Sequence, residues 1–330
     1  MLAKANFEPL RRLRYLCRGA ALMLTLGLAA FTSGLAPAEA DAGSAESATR
    51  AVDIGHGVTL HYVEQGSGIP VVFVHGSLSD YSYWDTQLSA FSGQYRAIAY
   101  SRRYNPPNEN PATTGYSAVT DSDDLAAFIT RLRLGRVYVI GHSYGALTAL
   151  FLATRHPDLV RAVVLAEPPA VPLLRHLPDE QAVKGNAMFA DIQNGMVEPM
   201  QRRFAAGDAE GGVEIFINYV FNDPRAWAGM PQADRTAALR AAHEWDLMMT
   251  SGQLFPELDV AVLRKISVSV LVMSGGTSFP FLQYIDQQLV RLIPGARNIV
   301  YPEAGHQMWL VYPQLCRDDA IAFFNLHRSR

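Results

Sequence analysis

Gly141-His142-Ser143-Tyr144-Gly145 is the segment of this 330-residue chain whose residue types and spacing are best suited to chemistry. It follows the apolar run Arg136 to His142 and opens a helical stretch at Tyr144, which is the strand-to-helix setting a GxSxG nucleophile turn requires. The demand is geometric. So tight a turn strains the serine backbone and brings neighbouring segments close, and the flanking positions must do without a Cβ. Ser143 Oγ would then project above the carboxyl edge of a sheet as a nucleophile. The N–H of Tyr144, at the helix N-terminus, would stabilise a negative oxygen. A plain strand-to-helix turn with a capping serine is the bland alternative, and the strand-motif-helix context argues against it.

Other chemistries find no footing. HExxH, CxxC, an Asp-rich calcium loop and GxxxxGKS/T are all absent, so neither a metal nor a cofactor is expected. The chain has 28 Lys+Arg against 31 Asp+Glu and a net charge of −3, with no basic run outside its N-terminus, which argues against a nucleic-acid partner. Of the two cysteines, Cys17 lies in the N-terminal leader, and Cys316 sits in an apolar segment where packing is the expected role.

The elements that must position Ser143 follow from the pattern. Residues 1–40 read as a signal peptide: Lys4, Arg11, Arg12, Arg14 and Arg18 precede the apolar stretch Ala20 to Phe31, and small-residue cleavage sites follow near Ala38 and Ala40. That stretch is too short to span a bilayer, so export to the periplasm or medium without a stable membrane anchor is expected. Residues 41–48 read as a linker. From residue 49, β-branched runs alternate with helical stretches: a hairpin over 49–66, then runs at 70–76, 95–101, 136–142, 160–167, 268–275 and 297–301. Nearly unbroken apolar runs suit strands buried on both faces of a mostly parallel sheet flanked by helices, an α/β architecture. Residues 49–170 and 266–330 would form that core. Residues 171–265 show no strand run and read as an inserted helical cap whose Trp227 and Trp245 are candidate substrate contacts.

With His75-Gly76-Ser77 after the third strand, GHSYG at Ser143 and Ala304-Gly305-His306 after the last strand, the chain resembles the α/β-hydrolase superfamily over about residues 50–327. The resemblance implies the α/β-hydrolase fold, an oxyanion hole formed by the N–H groups of Ser77 and Tyr144, and His306 as the base. It departs from the family's usual pattern at the acid, because the stretch after the seventh strand, Gly275-Gly276-Thr277-Ser278-Phe279, has no carboxylate. Glu167, between the sixth strand and two prolines, resembles the placement in a minority of the superfamily, including some haloalkane dehalogenases and lactone hydrolases. Asp286 is the fallback. Serine at position 143 argues against epoxide hydrolase or dehalogenase chemistry, which needs a carboxylate there.

Loops facing the site add His75, Asp80, Trp84 and Arg102 as candidate substrate contacts, with surface ion pairs from Arg102 or Arg103 to Asp80 or Glu109 as the alternative. The expected activity is cleavage of a small apolar carboxylic ester or lactone. C–C bond hydrolysis, amide hydrolysis, perhydrolysis and non-catalytic ligand binding stand as alternatives.

Overall fold

A computed structural model describes residues 48–328. The expected signal peptide, Cys17 and nearly all of the 41–48 linker lie outside the described residues. Within them, the β-branched runs become eight strands: β1 (Arg50–Gly55), β2 (Val58–Gln65), β3 (Pro70–Val74), β4 (Arg96–Tyr100), β5 (Val137–His142), β6 (Val160–Ala166), β7 (Ser269–Gly275) and β8 (Arg297–Tyr301). They form one sheet in the order β1-β2-β4-β3-β5-β6-β7-β8. The β1-β2 and β2-β4 pairings are antiparallel, and the others are parallel. Every residue of β5 is buried, whereas β8, at the sheet edge, is exposed along most of its length. That contrast is the expected one between a central parallel strand covered on both faces and an edge strand.

Helices cover both faces. The core contributes α1 (Asp85–Ser92), α2 (Ala118–Arg131) and α3 (Tyr144–Arg155). The strand-free interval follows with α4 (Asp179–Ile192), α5 (Glu198–Ala205), α6 (Ala209–Phe221), α7 (Gln232–Arg240) and α8 (His243–Ser251). The chain then returns to the core with α9 (Pro280–Leu292) and α10 (Pro313–Asn325). Helix α2 starts at Ala118, where Ser117 accepts the Val119 N–H as an N-cap. Helices α7 and α8 are separate, since the Ala241 and Ala242 amides bond three residues back and redirect the chain into α8.

Two apolar clusters hold the layers together. One lies under α1 and α10, with Phe73, Trp84, Tyr138, Trp309 and Phe324. The other is continuous from α2 and α3 into the insertion, joining Leu147, Leu150 and Val163 to Met200, Phe204, Trp227 and Trp245. The helical insertion therefore shares the core's apolar packing instead of enclosing a separate one. Polar ties add to this: Tyr144 Oη accepts from the Ala118 N–H at 2.9 Å and donates to the Leu254 carbonyl at 3.1 Å, and Ser251 Oγ donates to the Tyr116 carbonyl at 2.9 Å. No helix among the described residues is long and apolar enough to cross a membrane.

Candidate active site

The sharp bend between β5 and α3 places Ser143 at φ 55°, ψ −125°, a backbone conformation that side-chain-bearing residues rarely adopt. Its N–H is fixed to the Ala166 carbonyl of β6 at 2.8 Å. Both glycines of the motif are required by close approach. A Cβ on Gly145 would overlap the carbonyl oxygens of Val74 and His75, and one on Gly141 would lie 2.6 Å from Ala146 Cα. The chain after β3 also comes close, though less tightly, since a Cβ on Gly76 would sit 3.1 Å from Ser143 Cβ. Ser77 thus follows directly on a residue packed against the serine. The main-chain N–H groups of Ser77 and Tyr144 have no hydrogen-bond partner among the described residues.

His306 and Glu167 meet. His306 Nδ1 lies 2.6 Å from Glu167 Oε2, with the carboxylate fully buried and the imidazole about one-fifth exposed. Because an ionised carboxylate only accepts, this contact places the proton on Nδ1 and leaves Nε2 as the ring's acceptor. Glu167 itself sits at φ 50°, and it takes two further donors: the Gly275 N–H on Oε1 at 2.7 Å and Ser278 Oγ on Oε2 at 2.7 Å. Asp286 does not reach the histidine. Its Oδ2 accepts from Ser274 Oγ at 2.7 Å, and burial, aided by the nearby Glu167 charge, pushes its carboxyl well above the usual range.

The stretch after β7 that lacks the usual carboxylate has a different task. A Cβ on Gly275 would lie 2.6 Å from the Ala304 carbonyl, while the Gly276 N–H bonds to the Tyr301 carbonyl at 2.8 Å and the Thr277 N–H to the Ala304 carbonyl at 3.0 Å. The stretch cradles the loop that delivers His306 and supplies two donors to its partner. Nothing in the residue pattern pointed to Ser278. Nor did it point to His142, whose Nε2 bonds to the His306 carbonyl at 2.8 Å and whose ring stacks on Tyr83. Burial first, then the neighbouring His306, lowers the His142 pKa to about 3, so the imidazole is neutral.

The candidate substrate contacts need correction. Arg102 is completely buried and bound to Asp121 and Glu244, so it is neither free for a substrate carboxylate nor on the surface with Asp80 or Glu109. Burial pulls its pKa down, but the charges of Glu244 and Asp121 outweigh that and hold the guanidinium cationic. Arg103 is taken by a bidentate pair with Asp124. His75 is buried, with Nδ1 2.7 Å from the Gly76 carbonyl and Nε2 accepting the Arg102 N–H at 3.0 Å. Asp80 caps the turn Tyr81–Trp84 by accepting the Ser82 N–H. Trp84 is core, wedged among Phe73, Tyr83 and Trp309. Trp245 packs on Phe216, and Trp227 is held by its backbone N–H to Asn218, both inside the apolar packing of the insertion. Cys316 is buried, its thiol pushed up to about 12 mainly by burial. Among the described residues no group of three or more His, Cys, Asp or Glu side chains is arranged to hold a metal.

This combination of an eight-stranded, mostly parallel sheet and a strained serine turn is the architecture of one enzyme superfamily. Residues 71–319 match the model of the alpha/beta hydrolase family, and the chain belongs to that family. Among proteins of known activity it is similar to a 2-(acetamidomethylene)succinate hydrolase from Mesorhizobium japonicum, 37% identical over 286 residues, which is 84% of this chain and 95% of that protein. Among solved structures it is similar in fold to Est816, described as an N-acyl homoserine lactone degrading enzyme (TM-score 0.64, 23% identity, 83% of this chain and 100% of that one). The enol-lactonase of Burkholderia xenovorans LB400 is another such fold relative (TM-score 0.63, 20% identity, 82% and 98%).

Proposed function

We propose that the chain is a serine hydrolase that cleaves a carboxylic ester or lactone through an acyl-enzyme on Ser143. The observation that carries this reading is the 2.6 Å contact of His306 Nδ1 with the buried Glu167, on a loop whose His306 carbonyl is bonded at 2.8 Å to His142, the residue before a serine held at φ 55°. In this mechanism Nε2 of His306 takes the Ser143 proton as Oγ attacks the substrate carbonyl, and Glu167 stabilises the imidazolium. The N–H groups of Ser77 and Tyr144 receive the oxyanion, each donor being worth about 10² to 10³ in rate. The imidazolium then protonates the departing alkoxide, and a water activated by His306 cleaves the acyl-enzyme and restores the serine.

The engagement of Arg102 by two carboxylates favours an uncharged substrate over one recognised through a carboxylate at that position. The 37% identical relative favours a second reading, hydrolysis of an acetamide-bearing compound on the same serine. Short p-nitrophenyl esters, a lactone series and 2-(acetamidomethylene)succinate assayed side by side separate the two. Turnover of the esters or lactones, abolished by Ser143→Ala together with fluorophosphonate labelling, is expected; hydrolysis of the acetamido compound alone would decide for the second reading. We further propose export with removal of the N-terminal leader after Ala38 or Ala40, which places the mature N-terminus at residue 39 or 41, a position that N-terminal sequencing reads.

A further inference from the structure

Arg102, which the mechanism above does not use, holds the main chain that carries Ser77. Its Nη2 donates to the Gly76 carbonyl at 3.1 Å, its Nε to the His75 carbonyl at 3.3 Å, and its own N–H to His75 Nε2 at 3.0 Å. The Gly76 carbonyl and the Ser77 N–H belong to one planar trans peptide, so an oxygen fixed toward the guanidinium sends the N–H the opposite way. A cation on the carbonyl also polarises that peptide and makes its N–H a stronger donor. On the far side of Ser77, Leu78 is held at φ 54° with its N–H donated to Glu244 Oε1 at 2.6 Å, and Glu244 Oε2 pairs with Arg102. Glu244 comes from α8, in the helical insertion, and is completely buried. The peptides on either side of the Ser77 residue are therefore clamped by one ion pair, while the Ser77 N–H itself is left without a partner.

We propose that Arg102 and Glu244 are positioning residues of the oxyanion hole, through which the helical insertion sets the direction and strength of the Ser77 donor. The inference rests on the reading of Ser143 as an acylated nucleophile. Asp121 completes the clamp from α2, accepting from Arg102 Nη1 at 2.7 Å and from Tyr116 Oη at 2.9 Å. A simple latch between insertion and core would use the same charges, so the test must read the oxyanion and not only stability.

Thiono substrates make that distinction, because a C=S sulfur accepts N–H hydrogen bonds weakly and gains little from the hole. The experiment compares kcat/KM for 4-nitrophenyl acetate with that for its thiono counterpart in the wild type, Glu244→Gln and Arg102→Lys. Both substrates are run on the same sample, so the ratio is independent of the fraction of enzyme that folds. The expected result is an oxo-to-thiono ratio reduced at least about tenfold in both variants, with the oxo loss carried by kcat rather than KM. Ratios within twofold of the wild type, whatever the absolute rates, would overturn the proposal and leave the clamp as a latch. A wild-type chain inert to esters, lactones and fluorophosphonate would instead bring down the nucleophile reading, and this inference with it.

Discussion

At the scale of single residues, Glu167 is the most distinctive feature. Glu167 has a buried carboxylate with three donors, and Asp286, a short distance away on α9, has one donor and a raised pKa. A buried carboxyl with a single donor and a second carboxylate nearby is pushed up in this way, by desolvation first and by the neighbouring charge second. Glu167→Gln is expected to lower kcat by about 10³ to 10⁴ with the fold intact, because an amide facing Nδ1 supports the wrong imidazole tautomer. Asp286→Asn is expected to leave kcat within about twofold, since the asparagine oxygen still accepts from Ser274. It should also reveal a pH signature. A carboxyl whose folded pKa exceeds its unfolded value of about 3.9 costs stability as pH rises through that value, so Asp286→Asn gains on the wild type from about pH 4 upward. Urea midpoints of both proteins across that range check the sign. Glu167 was legible in the sequence because a carboxylate between an apolar strand and two prolines has no packing explanation. Ser278 was not, because a hydroxyl in a polar loop carries no signal until its partner's position is known.

Among the elements, the β5-α3 turn was legible for a reason of packing. Only glycine fits where α3 begins against the ends of β3 and β5, and Gly141 and Gly145 are spaced accordingly. Gly145→Ala is expected to destabilise the protein by at least about 1–3 kcal/mol, since the new methyl meets backbone carbonyls that cannot swing aside. Differential scanning calorimetry beside fluorophosphonate labelling would check it, and an unchanged Tm would contradict the packing account. The interior strands also stood out in the sequence, because both of their faces are apolar. The role of Arg102 did not. Its second partner, Glu244, lies 142 positions away on a helix of mixed composition, and neither periodicity nor motif spacing joins residues that only the fold brings together. Trp227 and Trp245 show the same limit, since an aromatic inside a helical segment looks alike whether it faces a neighbour or a ligand.

Across the whole molecule, buried imidazoles give stability its own dependence on acidity. His142 and His75 are both lowered, first by burial and then by a neighbouring cation or imidazole. Unfolding frees them to protonate at about pH 6.5, so their contribution is present above that value and is lost as the pH falls. His142→Gln is therefore expected to gain stability relative to the wild type between pH 7 and pH 5, read as the difference in urea midpoints at the two values. The insertion has consequences at this scale too. Glu244, the hydroxyl of Ser251 and the carbonyl of Leu254 tie α8 and the segment after it to Arg102, Tyr116 and Tyr144. A chimera that exchanges only the donor's equivalent of residues 171–240 would leave those fastenings behind with the recipient. One spliced at residue 265 would import foreign side chains where Arg102, Leu78 and Tyr144 now find their partners, so the splice point, rather than the choice of donor, governs whether such a graft works.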